Sequence, residues 1–285
     1  MAKLKVSSTL NLHSGPKEDM AAYVRAGVSF MKAHGFDAMD FPMKILPAAA
    51  EARETVLQAA LEASEAEGIR FEVCHLPYST KIGQNADFDA RFCADMYVAI
   101  DAAKELGVEY AVLHPNTTSV RRSLFDRQAE FECVMAHLSP FAEYAAKRGV
   151  RLAVENMRIV PQQYPMHRFC SDPEELCSVA DALGIDVCWD FGHANIGTHM
   201  KQSEALAVVG KRLKTVHVND NLAWGDDHVP PFCGTVDWKD AMRGLSAIGY
   251  SGLFNYELAS RHPAASRGAF ADYLRTSAEV LMGFM

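Results

Sequence analysis

The stretch VCWDFGHAN, from Val187 to Asn195, begins like a buried strand and ends in two ionisable side chains. Its apolar run reaches a carboxylate at Asp190, and His193 follows just beyond a glycine. Burial of a carboxylate or an imidazole without a partner costs several kcal/mol, so a core strand normally avoids both groups. The stretch therefore indicates that the two side chains either satisfy each other or face a site that binds them.

Short apolar runs of the same kind recur along the chain and alternate with longer amphipathic segments. Two of the longer segments, 89–107 and 128–149, place apolar residues at helical spacing and end on Gly107 and Gly149, as expected at left-handed helix ends. The segments predicted to be strands are KLKVSST (3–9), FDAMDF (36–41), RFEVCH (70–75), EYAVLH (109–114), VRLAVEN (150–156), IDVCWD (185–190), LKTVHVND (213–220) and GLFNYE (252–257).

Eight strand–helix units over 285 residues predict an α/β fold, a single (β/α)8 TIM barrel. No linker-like or low-complexity segment divides the chain, so we expect one domain over residues 1–285. A doubly wound open sheet, which also alternates strands and helices, is the structural alternative. In a barrel, catalytic groups lie at the C-terminal ends of the strands, and these ends are where a site is expected.

The composition is typical of an acidic, soluble protein. A formal net charge of -8 argues against a broad nucleic-acid-binding face. The seven cysteines form no C-x-x-C pair, so we expect no disulfide framework and a reducing, cytoplasmic location. The N-terminus has no apolar stretch of signal-peptide length, and no apolar run approaches the roughly 20 residues that span a bilayer. We therefore expect no membrane partner.

Polar side chains follow the apolar runs at most of the expected strand ends. One such residue alone would be explained as a satisfied core histidine or as a helix N-cap. Imidazole and glutamate are poor N-caps, however, so the whole set indicates a shared site. The set consists of His75, His114, Glu155, Asp190, His193, His217 and Glu257.

Glu155, Asp190, His217 and Glu257 are the oxygen-rich part of this set. Such side chains converge favourably only when a cation lies between them. Three carboxylates and one imidazole suit one divalent ion, with Mn2+ preferred and Mg2+, Co2+ or Zn2+ as alternatives. Such an ion would chelate a hydroxy-carbonyl fragment and stabilise its enediolate. Glu155 and Glu257 would be the catalytic pair that removes and returns a proton, which predicts isomerisation or epimerisation of a small-molecule carbohydrate.

The same residues lie in motifs by which the chain resembles the xylose-isomerase-like TIM barrel superfamily over essentially its whole length. The motifs are CHLPY, LHPN, VEN, WDFGH, HVND, DDHVPPFCGTVDW and YEL, in this order. The superfamily contains sugar and sugar-phosphate isomerases and epimerases, inosose dehydratases and isomerases, and endonuclease IV-type nucleases. In its sugar-acting members the residues that match Glu155, Asp190, His217 and Glu257 hold one divalent ion, and the residue that matches His193 touches substrate oxygens. Relatives often dimerise or tetramerise, so the resemblance leaves a homo-oligomer open.

The nuclease branch is the main alternative. Its members resemble this chain also at His75, His114, Asp226 and His228, which would complete a three-zinc cluster for cleavage of abasic DNA. The chain departs from that pattern with PFCGTVDW where Gly-x-Gly is expected, and with NMRIVP after Glu155 in place of a small turn. No loop rich in arginine or lysine is present to bind DNA, which disfavours a nucleic-acid partner. We therefore expect His75, His114, Asp226 and His228 to contact substrate.

Two departures concern the type of carbohydrate reaction. Ketose 3-epimerases have an additional glutamate soon after the first metal glutamate and an arginine soon after the metal histidine. Pro161 and Ala223 stand at these positions, which disfavours free-ketose 3-epimerisation. A different sugar, a sugar phosphate or a cyclitol remains open. A keto-sugar or cyclitol dehydratase or lyase would use the same metal and base, with elimination in place of reprotonation.

Arg158 and the segment around it are the remaining candidates. Arg158 lies at the expected mouth of the barrel, where its guanidinium is either a bidentate ligand for a substrate carboxylate or phosphate, or a solvated loop cation. We interpret residues 157–175 as a lid, because loops longer than about 12 residues are usually functional or disordered. Within it, we expect His167 and Arg168 to be solvated at the surface rather than to contact substrate.

Overall fold

Parallel strands form a barrel with helices packed around it, and a small two-stranded sheet lies at its rim. The computed structural model describes residues 4–13, 18–79, 82–197, 200–258 and 264–285. The strands are β1 (Val6–Thr9), β2 (Ala38–Pro42), β3 (Arg70–His75), β4 (Tyr110–Leu113), β5 (Ser119–Arg121), β6 (Leu152–Glu155), β7 (Met166–Arg168), β8 (Asp186–Asp190), β9 (Leu213–Val218) and β10 (Leu253–Tyr256). The helices are α1 (Met20–Ala33), α2 (Ala50–Glu67), α3 (Ala86–Leu106), α4 (Arg127–Arg148), α5 (Pro173–Leu183), α6 (Phe191–Gly197), α7 (Gln202–Val209), α8 (Trp238–Ala247) and α9 (Arg267–Met282).

The barrel closes in the order β1-β10-β9-β8-β6-β4-β3-β2, and β1 pairs with both β2 and β10. This closure confirms the predicted (β/α)8 barrel and excludes the open doubly wound sheet, which would have two edge strands. Each predicted strand overlaps one barrel strand, although Lys3, the first residue of the first predicted strand, lies outside the described residues. None of the helices in the described part of the chain combines the length and the apolar character needed to cross a bilayer.

Capping side chains and glycines set the limits of the long helices. Asp19, Asn85 and Asp126 each accept a hydrogen bond from a backbone N–H in the first turn of α1, α3 and α4, respectively, which satisfies a donor that the helix itself leaves free. Gly107 and Gly149 follow α3 and α4 with φ angles of 65° and 73°. Because side chains disfavour this left-handed region, glycine ends both helices at the predicted positions.

The alternation within β8 explains why its sequence appears apolar and yet ends in a carboxylate. Val187 and Trp189 pack into the large cluster between the barrel and the helices, whereas Cys188 belongs to a smaller apolar cluster on the opposite face of the strand. Side chains alternate between the two faces of a strand, so Asp190 lies on the same face as Cys188. The smaller cluster, inside the barrel, thus forms an apolar floor beneath the polar strand ends.

Residues 157–175, predicted to be a lid, are joined to the barrel rim by the small sheet, in which β7 pairs antiparallel with β5. Arg168 of β7 is buried, and its guanidinium donates hydrogen bonds to Thr117 Oγ1 and to the Arg158 carbonyl oxygen. The prediction that Arg168 is solvated at the surface is therefore wrong. Its polar neighbours across the sheet replace the water that a surface position would provide.

His167 is buried as well, which corrects the prediction of a solvated surface residue. Its Nε2 lies 3.0 Å from both carboxylate oxygens of Glu175, in the first turn of α5. Glu175 has almost no exposed surface and also accepts a hydrogen bond from the Cys170 N–H. A buried carboxylate needs such donors, and it therefore draws His167 into the interior.

Candidate active site

Four ionisable side chains converge at the C-terminal ends of four neighbouring strands, β6, β8, β9 and β10. Glu155 ends β6, Asp190 ends β8, His217 lies one residue before the end of β9 and Glu257 directly follows β10. One ligand atom from each lies within 4.8 Å of the others. The Nδ1 atom of His217 is 3.2 Å from Glu155 Oε1 and 3.1 Å from Glu257 Oε2. We call these four residues the central quartet.

The central quartet is largely closed off from solvent. Glu155, Asp190 and His217 have no exposed surface. Both carboxylate oxygens of Glu155 and both ring nitrogens of His217 lack a partner in hydrogen-bond geometry among the described residues. Buried polar atoms are rarely left so unless water, an ion or a ligand completes their contacts. The oxygen-rich donor set and these unsatisfied atoms fit a hard divalent cation.

Negative charge dominates the central quartet. Burial opposes the ionisation of Glu155, but the surrounding imidazoles, His217 above all, hold its pKa well below the usual range. Burial raises the pKa of Asp190 to about 6. Burial disfavours the imidazolium of His217, whereas Cys188 and the carboxylates of Glu155 and Glu257 raise its pKa well above the usual range. His217 thus holds a proton because carboxylates surround it, and a bound cation would supply that positive charge instead.

A second group of potential ligands shares Glu155 with the central quartet, and we call it the inner triad. It adds His75, at the end of β3, and His114, directly after β4. Their Nε2 atoms are 3.2 Å apart and lie 3.4 and 3.2 Å, respectively, from Glu155 Oε2. Burial lowers the pKa of His114 to about 4, so this ring is neutral near pH 7 and presents a lone pair.

A third group, which we call the rim triad, consists of His193, Asp226 and His228. Asp226 Oδ2 is 3.6 Å from His193 Nε2, and Asp226 Oδ1 is 3.2 Å from His228 Nε2. The Nε atom of Arg158 approaches the same carboxylate to 2.8 Å. Burial disfavours the ionised form of Asp226, but the two imidazoles hold its pKa well below the usual range. Asp226 therefore has cationic partners from the chain itself.

Backbone carbonyls fix the ring orientation of three of these histidines. A carbonyl oxygen can only accept a hydrogen bond, so a contact at Nδ1 places a hydrogen on that nitrogen and directs Nε2 into the site. Metal-binding histidines are usually held in this way. The contacts are His75 Nδ1 to Leu76 O at 2.8 Å, His193 Nδ1 to Asn156 O at 2.8 Å, and His228 Nδ1 to Glu257 O at 2.9 Å.

The two histidines of the inner triad, the rim triad and Glu257 line a cavity of about 280 Å3 at the C-terminal mouth of the barrel. This volume lies near the lower end of the roughly 300–1,000 Å3 found for small-molecule sites. The walls include His75, His114, His193, Asp226, His228 and Glu257. A larger depression, of about 610 Å3, lies at the N-terminal ends of the strands, the side of such barrels that does not carry catalysis.

Comparison with known proteins establishes the family. A family model described as xylose isomerase-like TIM barrel matches residues 28–281. The chain belongs to this family. One curated relative is the uncharacterized protein y4fM of Sinorhizobium fredii, which is 29% identical to this chain over 159 residues. The matched residues are 55% of this chain and 50% of that protein. The matched part of the chain thus spans about half the length of that relative.

Solved structures share the fold of this xylose isomerase-like chain at low sequence identity. A D-tagatose 3-epimerase-like protein superposes with a TM-score of 0.71 at 18% identity, over 98% of both chains. The 3-keto-D-glucoside 4-epimerase YcjR from E. coli superposes with a TM-score of 0.70 at 18% identity, over 96% of this chain and all of that chain. Identities this low establish the common barrel and nothing finer.

Six of the predicted site residues line the cavity, whereas Glu155, Asp190 and His217 are fully buried in the central quartet and form no part of the cavity wall. Arg158 does not line the cavity either, because its guanidinium contacts Asp226. Tyr78 stacks on His114 with ring centroids 4.5 Å apart and is half exposed, so it forms part of the cavity wall. Trp224 is 80% exposed and packs little against its surroundings.

Asp40 lines the cavity of this xylose isomerase-like barrel but is absent from the predicted site. It lies on β2 and is buried; its Oδ2 accepts a hydrogen bond from Asn255 Nδ2 at 3.0 Å, and Oδ1 has no partner in the described part of the chain. Ser7 Oγ donates to Asn255 Oδ1 at 2.6 Å and so fixes the orientation of the amide. In the run FDAMDF an apolar stretch reaches a carboxylate, as in the other strands. The run continues to Phe41, however, so Asp40 does not stand at the end of the predicted strand.

Asparagines in the family motifs hold Asp190 in place. Asn219 Nδ2 donates to Asp190 Oδ2 at 2.6 Å, and the Asp190 N–H donates to Asn156 Oδ1 at 2.6 Å. The His193 N–H donates to Asp190 Oδ1 at 2.5 Å, which links the two ionisable residues of WDFGH. A Cβ at Gly192 would overlap the Asn219 amide, so only glycine leaves room for this arrangement.

Proposed function

We propose that this protein is a divalent-metal-dependent isomerase or epimerase that acts on a sugar, a sugar phosphate or a related polyol through an enediolate. The observation that carries the proposal is the central quartet: three carboxylates and one imidazole, buried at neighbouring strand ends, with ligand atoms within 4.8 Å of one another. Membership of the xylose isomerase-like family supports it, as does a fold shared with a 3-keto-D-glucoside 4-epimerase and a D-tagatose 3-epimerase-like protein.

Glu155, Asp190, His217 and Glu257 would hold the metal, with Mn2+ preferred over Mg2+, Co2+ or Zn2+ because the donors are mainly oxygen. A bound ion would polarise the substrate carbonyl as a Lewis acid and stabilise negative charge on its oxygens. The remaining chemistry, which is the movement of a proton between carbon atoms or between the faces of one carbon, requires an acid and a base from the protein.

Glu155 and Glu257 are the residues proposed for this transfer. Glu155 ends β6 and Glu257 follows β10; β8 and β9 separate these strands in the barrel, so the two carboxylates reach the site from different sides. Both pKa values are held well below the usual range, despite burial, by neighbouring imidazoles, of which His217 contributes most. Each carboxylate is therefore ionised before substrate binds. One would remove a proton from the substrate carbon, and the other, after it takes up a proton from solvent, would deliver that proton to the product.

The remaining groups in the cavity would bind substrate hydroxyls. His75, His114, His193 and His228 present Nε2 atoms or ring edges, and Asp226 is a strong hydrogen-bond acceptor. Asp40, with one free carboxylate oxygen, adds a further acceptor on the opposite wall. A dense set of polar groups in a small cavity suits a polyhydroxylated ligand better than an apolar one.

The test is to measure the metal content of the purified protein and its activity on a defined panel. We expect one equivalent of Mn, Co or Mg per chain by mass spectrometry, and proton exchange between solvent deuterium and one carbon of a sugar, sugar phosphate or cyclitol. Exchange accompanied by loss of water would assign the dehydratase or lyase reaction to the same site. Absence of exchange with every member of the panel would contradict the proposal.

A second candidate function, cleavage of abasic DNA by a zinc-dependent endonuclease IV-like mechanism, is favoured by one observation. The inner triad, the central quartet and the rim triad form three adjacent groups of ligand atoms, as a three-metal cluster requires. Two or three tightly bound zinc ions per chain, together with cleavage of an abasic-site duplex, would support this candidate over the sugar enzyme.

A further inference from the structure

A groove of about 400 Å3 adjoins the active-site cavity, and the two share Lys44 and Tyr78 as lining residues. The groove runs between the loop after β2 and the N-terminal part of α3. We call it the side groove. Because the side groove adjoins the active-site cavity, a ligand too large for the cavity would extend into the side groove.

The side groove differs in chemistry from the cavity that it adjoins. The cavity is lined by carboxylates and imidazoles, whereas the groove has an apolar surface and a basic edge. Asp95 is its only acidic lining residue in the described part of the chain. The apolar lining includes Met43, Leu46, Pro77, Phe88, Phe92 and Val98, and the basic residues are Lys44, Arg53 and Arg91.

Two of these cations, Lys44 and Arg91, are exposed and form no ion pair with another residue that the structure describes. Arg53, in contrast, donates its NH1 hydrogens to the carbonyl oxygens of Pro47 and Ala48. In a chain with a formal charge of -8, two unpaired cations beside the active site are available to a ligand.

Tyr78 connects the two spaces. Its ring stacks on His114 at 4.5 Å and 23°, and half of the residue remains exposed at the boundary between cavity and groove. Lys44 lines both spaces and Arg91 lines the groove alone, so a ligand that extends from the cavity past the tyrosine meets Lys44 at the boundary and Arg91 beyond it. Cations beyond an apolar contact are well suited to a negatively charged terminus of a polar ligand.

We propose that the substrate carries an anionic group, a phosphate or a carboxylate, at the end distant from the hydroxy-carbonyl fragment, and that Lys44 and Arg91 bind this group in the side groove. This inference rests on the proposed function, because it assumes a sugar-like ligand in the cavity. It narrows the substrate class from any sugar or polyol to acidic sugars and terminal sugar phosphates.

The experiment compares matched ligands on the metal-loaded, full-length protein. Isothermal titration calorimetry is run with a panel of hexoses, each as the neutral sugar, its 6-phosphate and its uronate. We expect at least one acidic member to bind about 10–100-fold more tightly than its neutral partner, the range given by charge-assisted hydrogen bonds. Preference for the phosphate or for the uronate identifies which anion the groove takes.

The double variant Lys44→Met/Arg91→Gln removes both charges and keeps the side-chain stems. Lys104→Gln, an exposed charge change near the other end of α3, is the matched control. We expect the double variant to lose the preference for the acidic ligand and the control to keep it. If the preference survives in the double variant, the anion binds elsewhere, for example at the metal, and the inference is overturned.

The remaining outcomes separate this inference from the proposed function. Equal binding of neutral and acidic sugars would overturn the side-groove proposal and leave the sugar enzyme intact. Failure of every sugar to bind would contradict the proposed function, and the inference would fall with it. Binding of an abasic-site duplex that depends on Lys44 and Arg91, without sugar binding, would assign the groove to the nuclease candidate instead.

Discussion

The central quartet and the rim triad are both clusters of carboxylate and imidazole, but they differ in how their charge is balanced. The ionisable partners of the quartet carboxylates are imidazoles, and no lysine or arginine of the described chain lies within ion-pair distance of them. Asp226 of the rim triad, by contrast, contacts the guanidinium of Arg158 at 2.8 Å as well as two imidazoles.

This difference shows that a set of ligand residues does not by itself define a metal site. A cluster needs an external cation to the extent that the chain does not provide one. The positive charge within the buried quartet is the proton on His217, which a bound metal ion would displace, whereas Asp226 of the partly exposed rim triad also contacts the fixed charge of an arginine. The NMRIVP segment, where the sequence departs from the nuclease pattern, is the segment that supplies this arginine. The comparison favours one tightly held metal over three.

The largest expected effect follows from removing a base of the central quartet. Glu257→Gln keeps the shape of the side chain but removes its ability to accept a proton, so kcat should fall by about 10^2–10^4-fold, the usual contribution of general acid–base catalysis. The measurement is turnover of whichever sugar the wild-type protein converts, with thermal unfolding to verify the fold. Glu109→Gln, an exposed change at the opposite end of the barrel, is the control. Full activity in Glu257→Gln would refute its role as base.

The next effect compares equivalent changes in the two clusters. Asp190→Asn should weaken Mn2+ binding by more than about 100-fold, because loss of a ligand exceeds the roughly 10–100-fold cost of losing a ligand's hydrogen-bond partner. Asp226→Asn should change it by less than about tenfold. Titration of the apoprotein with Mn2+, followed by electron paramagnetic resonance, gives both dissociation constants. Similar losses in the two variants would indicate one cooperative multi-metal cluster and would favour the nuclease.

The barrel and the central quartet could be predicted from the sequence because local patterns determine them. Two-residue alternation places Asp190 on the inner face, and a parallel barrel brings all strand ends to one mouth. Asp40 is absent from the predicted site because it lies two residues before the end of β2, within an apolar run that continues through Phe41 and Pro42.

What could not be predicted depends on contacts between distant segments. The pairing of β5 with β7 joins two three-residue strands about 45 residues apart, and such short strands have no periodicity of their own. The burial of His167 follows from Glu175, a first-turn glutamate that looks like an ordinary helix residue. The pairing of Arg158 with Asp226 likewise joins two loops, and no local pattern encodes it.

The Arg158–Asp226 contact gives a direct test of the charge argument. Arg158→Met keeps an apolar stem of similar length but removes the fixed positive charge beside Asp226. The remaining cationic partners of Asp226, His193 and His228, carry protons that a metal can displace, and the three donors suit Zn2+. We expect the number of Zn2+ ions that survive dialysis to rise by one per chain relative to the wild type. Arg243→Met, on the exposed face of α8, should leave the count unchanged. An unchanged count in Arg158→Met would show that the guanidinium does not keep a metal from the rim triad.

The smallest effect concerns the loop that carries two residues of the rim triad, Asp226 and His228. Asp220, after β9, accepts hydrogen bonds from the backbone N–H groups of Phe232 and Val236, and a Cβ at Gly234 would overlap its carboxylate. Gly234→Ala should therefore lower the free energy of unfolding by about 1–3 kcal/mol, the usual cost of overpacking.

Gly225→Ala in the same loop is the control, because its Cβ would meet only the side-chain end of Asp227, at 3.1 Å, and the expected change is within about 0.5 kcal/mol. Chemical denaturation measures both variants. Since the quartet is built on strand ends and the rim triad partly on this loop, Mn2+ affinity should stay unchanged in Gly234→Ala while binding of the substrate weakens. If Gly234→Ala also lowered the Mn2+ affinity, the two clusters would be structurally coupled, and the loop as well as the strands would position the metal ligands.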